Sequence, residues 1–146
     1  MVLVVEAEEE TRSTLKTLGH AEGCHVIAAA SWHDALLALR AYGSRLRLII
    51  VSLDVPDSSW ISVIGRVREM HRDLPVIVTT NTDSEAAELF ARRLGVVLYA
   101  PKPLDPGLLR QAIHGALRTP PPLHRRLHES NAEEPAMQDT REAQRR

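Results

Sequence analysis

The chain has 146 residues, 44% hydrophobic and 25% charged, which suits a soluble globular class: one domain with a proper core, and room for a tail. Eighteen Lys and Arg against nineteen Asp and Glu leave no net field to gather nucleic acid or anionic lipid, so partners of either kind are not expected. A single cysteine, Cys24, an opening MVLVVEAEEE without the pattern of a signal peptide, and no apolar run near the ~20 residues of a membrane span together point to the reducing cytoplasm.

Residues 2–5 are a short apolar run that meets Glu6, Glu8, Glu9 and Glu10. This reads as a strand, a loop and a helix start, where acidic side chains complement the helix dipole. Leu15, Leu18 and Ala21 continue the helix as an apolar stripe, and Gly23 marks its exit. Residues 24–29 read as a second strand. Ser31 and Asp34 resemble a capping box opening a helix with Ala35, Leu36, Leu39 and Tyr42, closed by Gly43.

The stretch LRLIIVSLDVPD, residues 46–57, organises the rest. Leu48, Ile49, Ile50 and Val51 form a continuous apolar run too short for a core helix and rich in β-branched residues, as in a strand covered on both faces. The chain then breaks into a loop at Pro56. In open α/β sheets, that carboxyl edge is where chemistry is placed. Residues 59–70 return to helical spacing through Ile61, Ile64 and Val67. Residues 75–80 are another buried strand, 83–94 a helix stopped by Gly95, and 96–99 a last strand. Asp105 and Pro106 supply a cap and an N1 proline for a helix through Leu109, Ile113 and Leu117. Five strands alternating with five helices predict a doubly wound parallel α/β sheet in flavodoxin-like order.

The character changes at Thr119. Three prolines (Pro120, Pro121, Pro122) precede a polar segment without aromatic residues, which predicts a disordered tail over 119–146 after a domain over 1–118. His124 and His128 stand at i, i+4, a spacing that zinc uses, but no further ligand accompanies them and a solvated tail is the simpler reading. Arg125, Arg126, Arg145 and Arg146 are offset by Glu129, Glu133, Glu134, Asp139 and Glu142, against a nucleic-acid arm. Cys24 reads as a small core residue, with no neighbouring cation to activate it.

Over residues 1–118 these elements resemble the receiver (CheY-like) domain of two-component response regulators. The resemblance rests on the acidic group after the first strand (Val4, Val5, Glu6, Ala7, Glu8), the apolar third strand ending in a loop with Pro56, Thr80 at the end of the fourth, and the run Tyr99, Ala100, Pro101, Lys102, Pro103. It implies an aspartate on the third strand that accepts a phosphoryl group, carboxylates after the first strand that hold Mg²⁺, and a lysine and a hydroxyl that contact the phosphoryl oxygens.

The sequence departs from that pattern where the chemistry sits. Four residues before Pro56 stands Ser52, not aspartate. The acidic pair is Glu6 and Ala7. Asn81 follows the fourth-strand hydroxyl where a small residue is usual, and Trp60 replaces a loop glycine. A serine hydroxyl is neutral at pH 7 and needs a base to attack. With Glu6 and Glu8 the only nearby candidates, Mg²⁺ is expected to bind weakly or not at all. Glu6, Thr80, Tyr99, Lys102 and Pro103 remain as receiver-site residues, with Lys102 expected to pair with Glu6 in place of a phosphate.

The leading reading is therefore a pseudo-receiver: a non-enzymatic, stand-alone module in phosphorelay signalling that acts by protein–protein contact. Its expected partners are a histidine kinase, a phosphotransfer protein or another regulator. A homodimer through the face of the fourth helix, fifth strand and fifth helix is a candidate arrangement. There Val97 and Leu98 fill positions often acidic in regulators that dimerise through charged pairs. Two alternatives stand beside it. One is a genuine phospho-acceptor using Asp54, whose rival reading is a loop acid at a turn. The other is a small α/β enzyme or nucleotide binder, against which no G-x-G-x-x-G or P-loop follows the first strand.

Overall fold

The strands are short apolar runs because parallel strands covered on both faces have no solvent side to alternate toward. In a computed structural model, residues 1–57 and 59–118 are described, the side chains of Trp60 and Ile61 excepted. The expectations for 119–146, including His124, His128 and the tail arginines, lie outside the described residues. The elements are β1 (Val2–Val5), α1 (Glu9–Ala21), β2 (Val26–Ala29), α2 (Trp32–Tyr42), β3 (Leu48–Ser52), α3 (Trp60–Met70), β4 (Val76–Thr80), α4 (Glu85–Arg93), β5 (Leu98–Pro101) and α5 (Pro106–Arg118), with a 3-10 turn at Gly43–Arg45. All strand pairs are parallel, in the order β2-β1-β3-β4-β5.

Side-chain alternation divides the strands between two cores. Leu3, Val5, Ile49, Val51, Val76 and Val78 face α2, α3 and α4, where Ala35, Leu39, Val63, Ile64, Val67 and Ala91 cover them. Val2, Val4, Leu48, Ile50 and Ile77 face α1 and α5, against Leu15, Leu109 and Ile113. Cys24 is half-buried against this second core.

Helix ends follow local chemistry. The Ser31 hydroxyl accepts from the Asp34 amide at 3.1 Å, and Asp105 accepts from the amides of Gly107 and Leu108 at 3.0 and 3.2 Å. Gly23 and Gly95, just past α1 and α4, take φ of 76° and 75°, the left-handed conformation that a side chain would strain.

Boundaries shift by one or two residues at several elements, and three of these shifts have a visible cause or consequence. The second strand begins at Val26 rather than 24. The fourth helix begins at Glu85, because Ser84 caps it through the Ala87 amide at 3.3 Å. The fifth strand is Leu98–Pro101 rather than 96–99. Pairing decides this last shift: the Val97 amide donates to the Val76 carbonyl at 2.8 Å, and the ladder then runs on to Thr80 opposite Pro101. A proline is tolerated at the end of an edge strand. Val97 is exposed, and Leu98 is partly buried against the second core.

Candidate functional site

Strand order reverses between β1 and β3, which opens a crevice at their carboxyl ends. Glu6 follows β1, Ser52 ends β3, Thr80 ends β4, and Lys102 follows β5. Four residues from four separate segments thus meet at one edge.

Glu6 is only 1% exposed. Its Oε1 lies 2.6 Å from Lys102 Nζ, the pairing expected from the sequence. Both side chains are buried, so each charge depends on the other. The other oxygen, Oε2, is buried with no hydrogen-bond partner among the described residues. Arg12 reaches back from α1 to the carbonyls of Glu6 and Ala7 at 3.0 and 3.2 Å, which pins the loop. Glu8 is exposed at the N-cap of α1 and makes no side-chain capping bond. With Glu10, Asn81, Lys102 and Leu104 it lines an open cleft of about 520 Å³ beside the site.

Lys102 is placed by its amide, which donates to the Thr80 carbonyl at 2.7 Å. The peptide bond to Pro103 is cis. Ser52 is 3% exposed, and its hydroxyl accepts from the Asp54 amide at 3.2 Å. This short loop closes the turn and returns the Asp54 carboxylate to the centre of the site. Asp54 Oδ2 accepts from the Asn81 amide at 2.6 Å, lies 3.5 Å from the Ser52 hydroxyl, and stands 3.9 Å from Lys102 Nζ. Oδ1 lies 3.5 Å from the Thr80 hydroxyl. Asp54 does sit in a turn, but its side chain faces the site.

Thr80 and Tyr99 continue the network. The Thr80 hydroxyl accepts from the Thr82 amide and lies 3.1 Å from the Thr82 carbonyl. Tyr99 is 8% exposed. Its hydroxyl accepts from the Ser84 amide at 3.4 Å and lies 3.5 Å from the carbonyls of Thr82 and Ser84. The buried hydroxyl of Thr79 has no partner among the described residues.

Two working residues were not legible in the sequence. Asp57, in the loop after β3, accepts from the amides of Trp32 and His33 at 2.8 and 3.0 Å. Those backbone hydrogen bonds hold its carboxyl below the ordinary aspartate range. Arg68 donates to the carbonyls of Leu94, Gly95, Leu74 and Arg72 at 3.0, 3.1, 2.6 and 3.2 Å, tying the end of α4 to the loop before β4. Burial lowers its pKa and neighbouring Asp73 raises it. No spacing rule announces the Asp57 contacts or the reach of Arg68 to Leu94 and Gly95, because these join segments far apart in the chain.

The family model described as "Response regulator receiver domain" matches residues 2–114. The chain is 32% identical over 117 residues to the "Transcriptional regulatory protein CpxR" of Escherichia coli K12, covering 80% of this chain and 49% of that protein. It therefore spans about half the length of the curated relatives of that kind. It is also 32% identical over 123 residues to an uncharacterized 14.6 kDa protein of Leptolyngbya boryana, covering 82% of this chain and 92% of that one. Among solved structures, the non-phosphorylated HemR receiver domain from Leptospira biflexa superposes with a TM-score of 0.75 at 21% identity, over 83% of this chain and 96% of that one. At that identity the likeness is one of fold.

Proposed function

The chain belongs to the response regulator receiver domain family, and from that premise we propose that it is a degenerate receiver, signalling by protein–protein contact without normal aspartyl phosphorylation. The observation that carries this reading is Ser52 at the end of β3. Its hydroxyl is buried and already bonded to the Asp54 amide. A serine there attacks a phosphoryl group only if a base takes its proton. The nearest carboxylate oxygen, Asp54 Oδ2, is 3.5 Å away and already accepts from Asn81 at 2.6 Å.

The Mg²⁺ that the family implies does not suit these donors. Glu6 commits one oxygen to Lys102 at 2.6 Å, and Ala7 has none to offer. Glu8 is exposed. What remains is the second oxygen of Glu6 and an Asp54 carboxylate already taken by the Asn81 amide at 2.6 Å and facing Lys102 Nζ at 3.9 Å, so any cation here would compete with the lysine for both acids.

The module's output then passes through a partner. The proposed partners are a histidine kinase, a phosphotransfer protein or another regulator in the cytoplasm, and the module turns over no substrate of its own. Among the described residues no helix is long and apolar enough to cross a membrane. Leu89, Phe90, Val97 and Leu108 are large apolar residues left exposed on α4, before β5 and on α5, and they support contact through that face, a homodimer included.

Intact-mass measurement after incubation with Mg²⁺ and acetyl phosphate tests the proposal. The expected result is an unmodified mass. A stoichiometric, alkali-labile adduct that vanishes in Asp54→Ala would overturn it.

A further inference from the structure

We propose that the Asp54 carboxylate is a built-in occupant of the receiver's anion site, holding the start of α4 in an anion-bound arrangement without any phosphoryl group. The proposal rests on the reading that this site is not phosphorylated, and adds what replaces the phosphoryl group.

Four groups converge on this one carboxylate: the Asn81 amide at 2.6 Å, the hydroxyls of Ser52 and Thr80 at 3.5 Å each, and Lys102 Nζ at 3.9 Å. The resemblance assigns the lysine and the fourth-strand hydroxyl to phosphoryl oxygens. In this chain they meet an oxyanion supplied two residues beyond the end of β3. The short amide–carboxylate bond is charge-assisted and among the stronger contacts of the network.

This placement also accounts for Ser52. The Ser52 hydroxyl can face the Asp54 carboxylate as a donor. An aspartate at position 52 would set a second negative charge against the first, and like charges at that separation oppose joint ionisation. Ser52 and Asp54 are thus complementary. The missing acceptor and the inward-facing acid form one arrangement.

The consequence runs along hydrogen bonds to α4. The Asn81 amide bound by Asp54 follows Thr80, whose hydroxyl accepts from Thr82. The Tyr99 hydroxyl accepts from the Ser84 amide, and the Ser84 hydroxyl caps α4 at Ala87. The Asp54 charge is therefore at the head of a series that ends where the exposed Leu89 and Phe90 begin. A partner reading that face meets a constant arrangement.

Amide hydrogen exchange on the full chain tests this, comparing wild type with Asp54→Ala, with and without millimolar inorganic phosphate. Losing a charged hydrogen-bond acceptor should speed exchange over residues 81–87 by at least about tenfold. Amides of β1 and β2 should be unaffected. Phosphate should refill the vacated place beside Lys102 and slow exchange again in Asp54→Ala, and leave wild type unchanged.

Equal protection of residues 81–87 in both proteins would overturn the proposal. So would faster exchange that phosphate does not reverse, which would make Asp54 a turn residue only. If the alanine variant does not fold, Asp54→Ser removes the charge and is too short to fill the place beside Lys102, and the same phosphate-reversible loss of protection is required of it. The acetyl phosphate mass measurement separates the two claims. An adduct on Asp54 would sink the underlying reading, whereas no adduct with unchanged exchange would sink this inference alone.

Discussion

The buried pair of Lys102 and Glu6 shows what single residues disclose and what they hide. Both charges stand at strand ends that the parallel fold brings together, so their 2.6 Å contact was legible once the order of elements was read. The direction of Asp54 was not. Strand alternation fixes where a side chain points only as far as the strand lasts, and Asp54 lies beyond it. Its inward turn is set by the Ser52 hydroxyl two residues back and by the Asn81 amide, and the second contact joins segments that no local pattern relates. For the pair itself, breaking one side is worse than removing both. Lys102→Met should therefore cost about 3–5 kcal/mol, leaving Glu6 buried and uncompensated. Adding Glu6→Met should recover much of that loss. Urea unfolding of the two single variants and the double variant measures it. A double variant less stable than Lys102→Met would mean that the pair stabilises by more than mutual compensation.

Elements were readable to the extent that they are capped and patterned within themselves. The first strand and the fifth helix follow from an apolar run and an Asp-Pro start, and both lie where expected. The fifth strand was displaced because its bounds depend on pairing with β4, and Val97 lies before the paired segment although it is as apolar as a strand residue. The second helix holds a further lesson, since its N-terminus is capped twice. Ser31 does so locally, and Asp57 does so across 25 residues of sequence. Asp57 thus ties the β3–α3 loop to the start of α2. Because its folded-state pKa lies below the ordinary value, the charged form is favoured by folding. Its contribution is full above the unfolded value, near pH 4, and is lost as pH falls through the lower folded value. Asp57→Ala should lower the thermal midpoint at pH 7. The gap between variant and wild type should close progressively below about pH 4. Thermal melts across that range check it. A gap that stays constant down to the most acidic folded state would show that the loop carboxylate is not what is lost.

For the molecule as a whole, fold and chemistry come apart. The two cores on either side of the sheet are built from apolar strand and helix residues, with Tyr99 the one site residue among their buried members, so the architecture does not depend on which polar groups stand at the carboxyl edge. That is why the architecture was plain in the apolar pattern, whereas the state of the site had to be read from Ala7, Ser52 and Asp54 one by one. On the proposed reading of a degenerate receiver, the same separation makes the chemistry recoverable. Ser52→Asp alone should not restore Mg²⁺-dependent phosphorylation, because a nucleophile beside Glu6 still leaves the cation short of ligands. Ser52→Asp with Ala7→Asp rebuilds the acidic cluster, with Thr80 and Lys102 already at the edge to receive phosphoryl oxygens. Without metal, the double variant should be destabilised, since both introduced carboxylates crowd against Glu6 and Asp54 and Lys102 alone cannot compensate them all. Binding Mg²⁺ in the folded state alone should then raise its thermal midpoint by a few degrees. The wild type should show no such rise, as Glu6 is already held by Lys102 and Ala7 offers nothing to a cation. Titrating Mg²⁺ against the melting curves of both proteins decides the matter. An equal response in the two, or a strong one in the wild type, would mean that this receiver has kept its metal site.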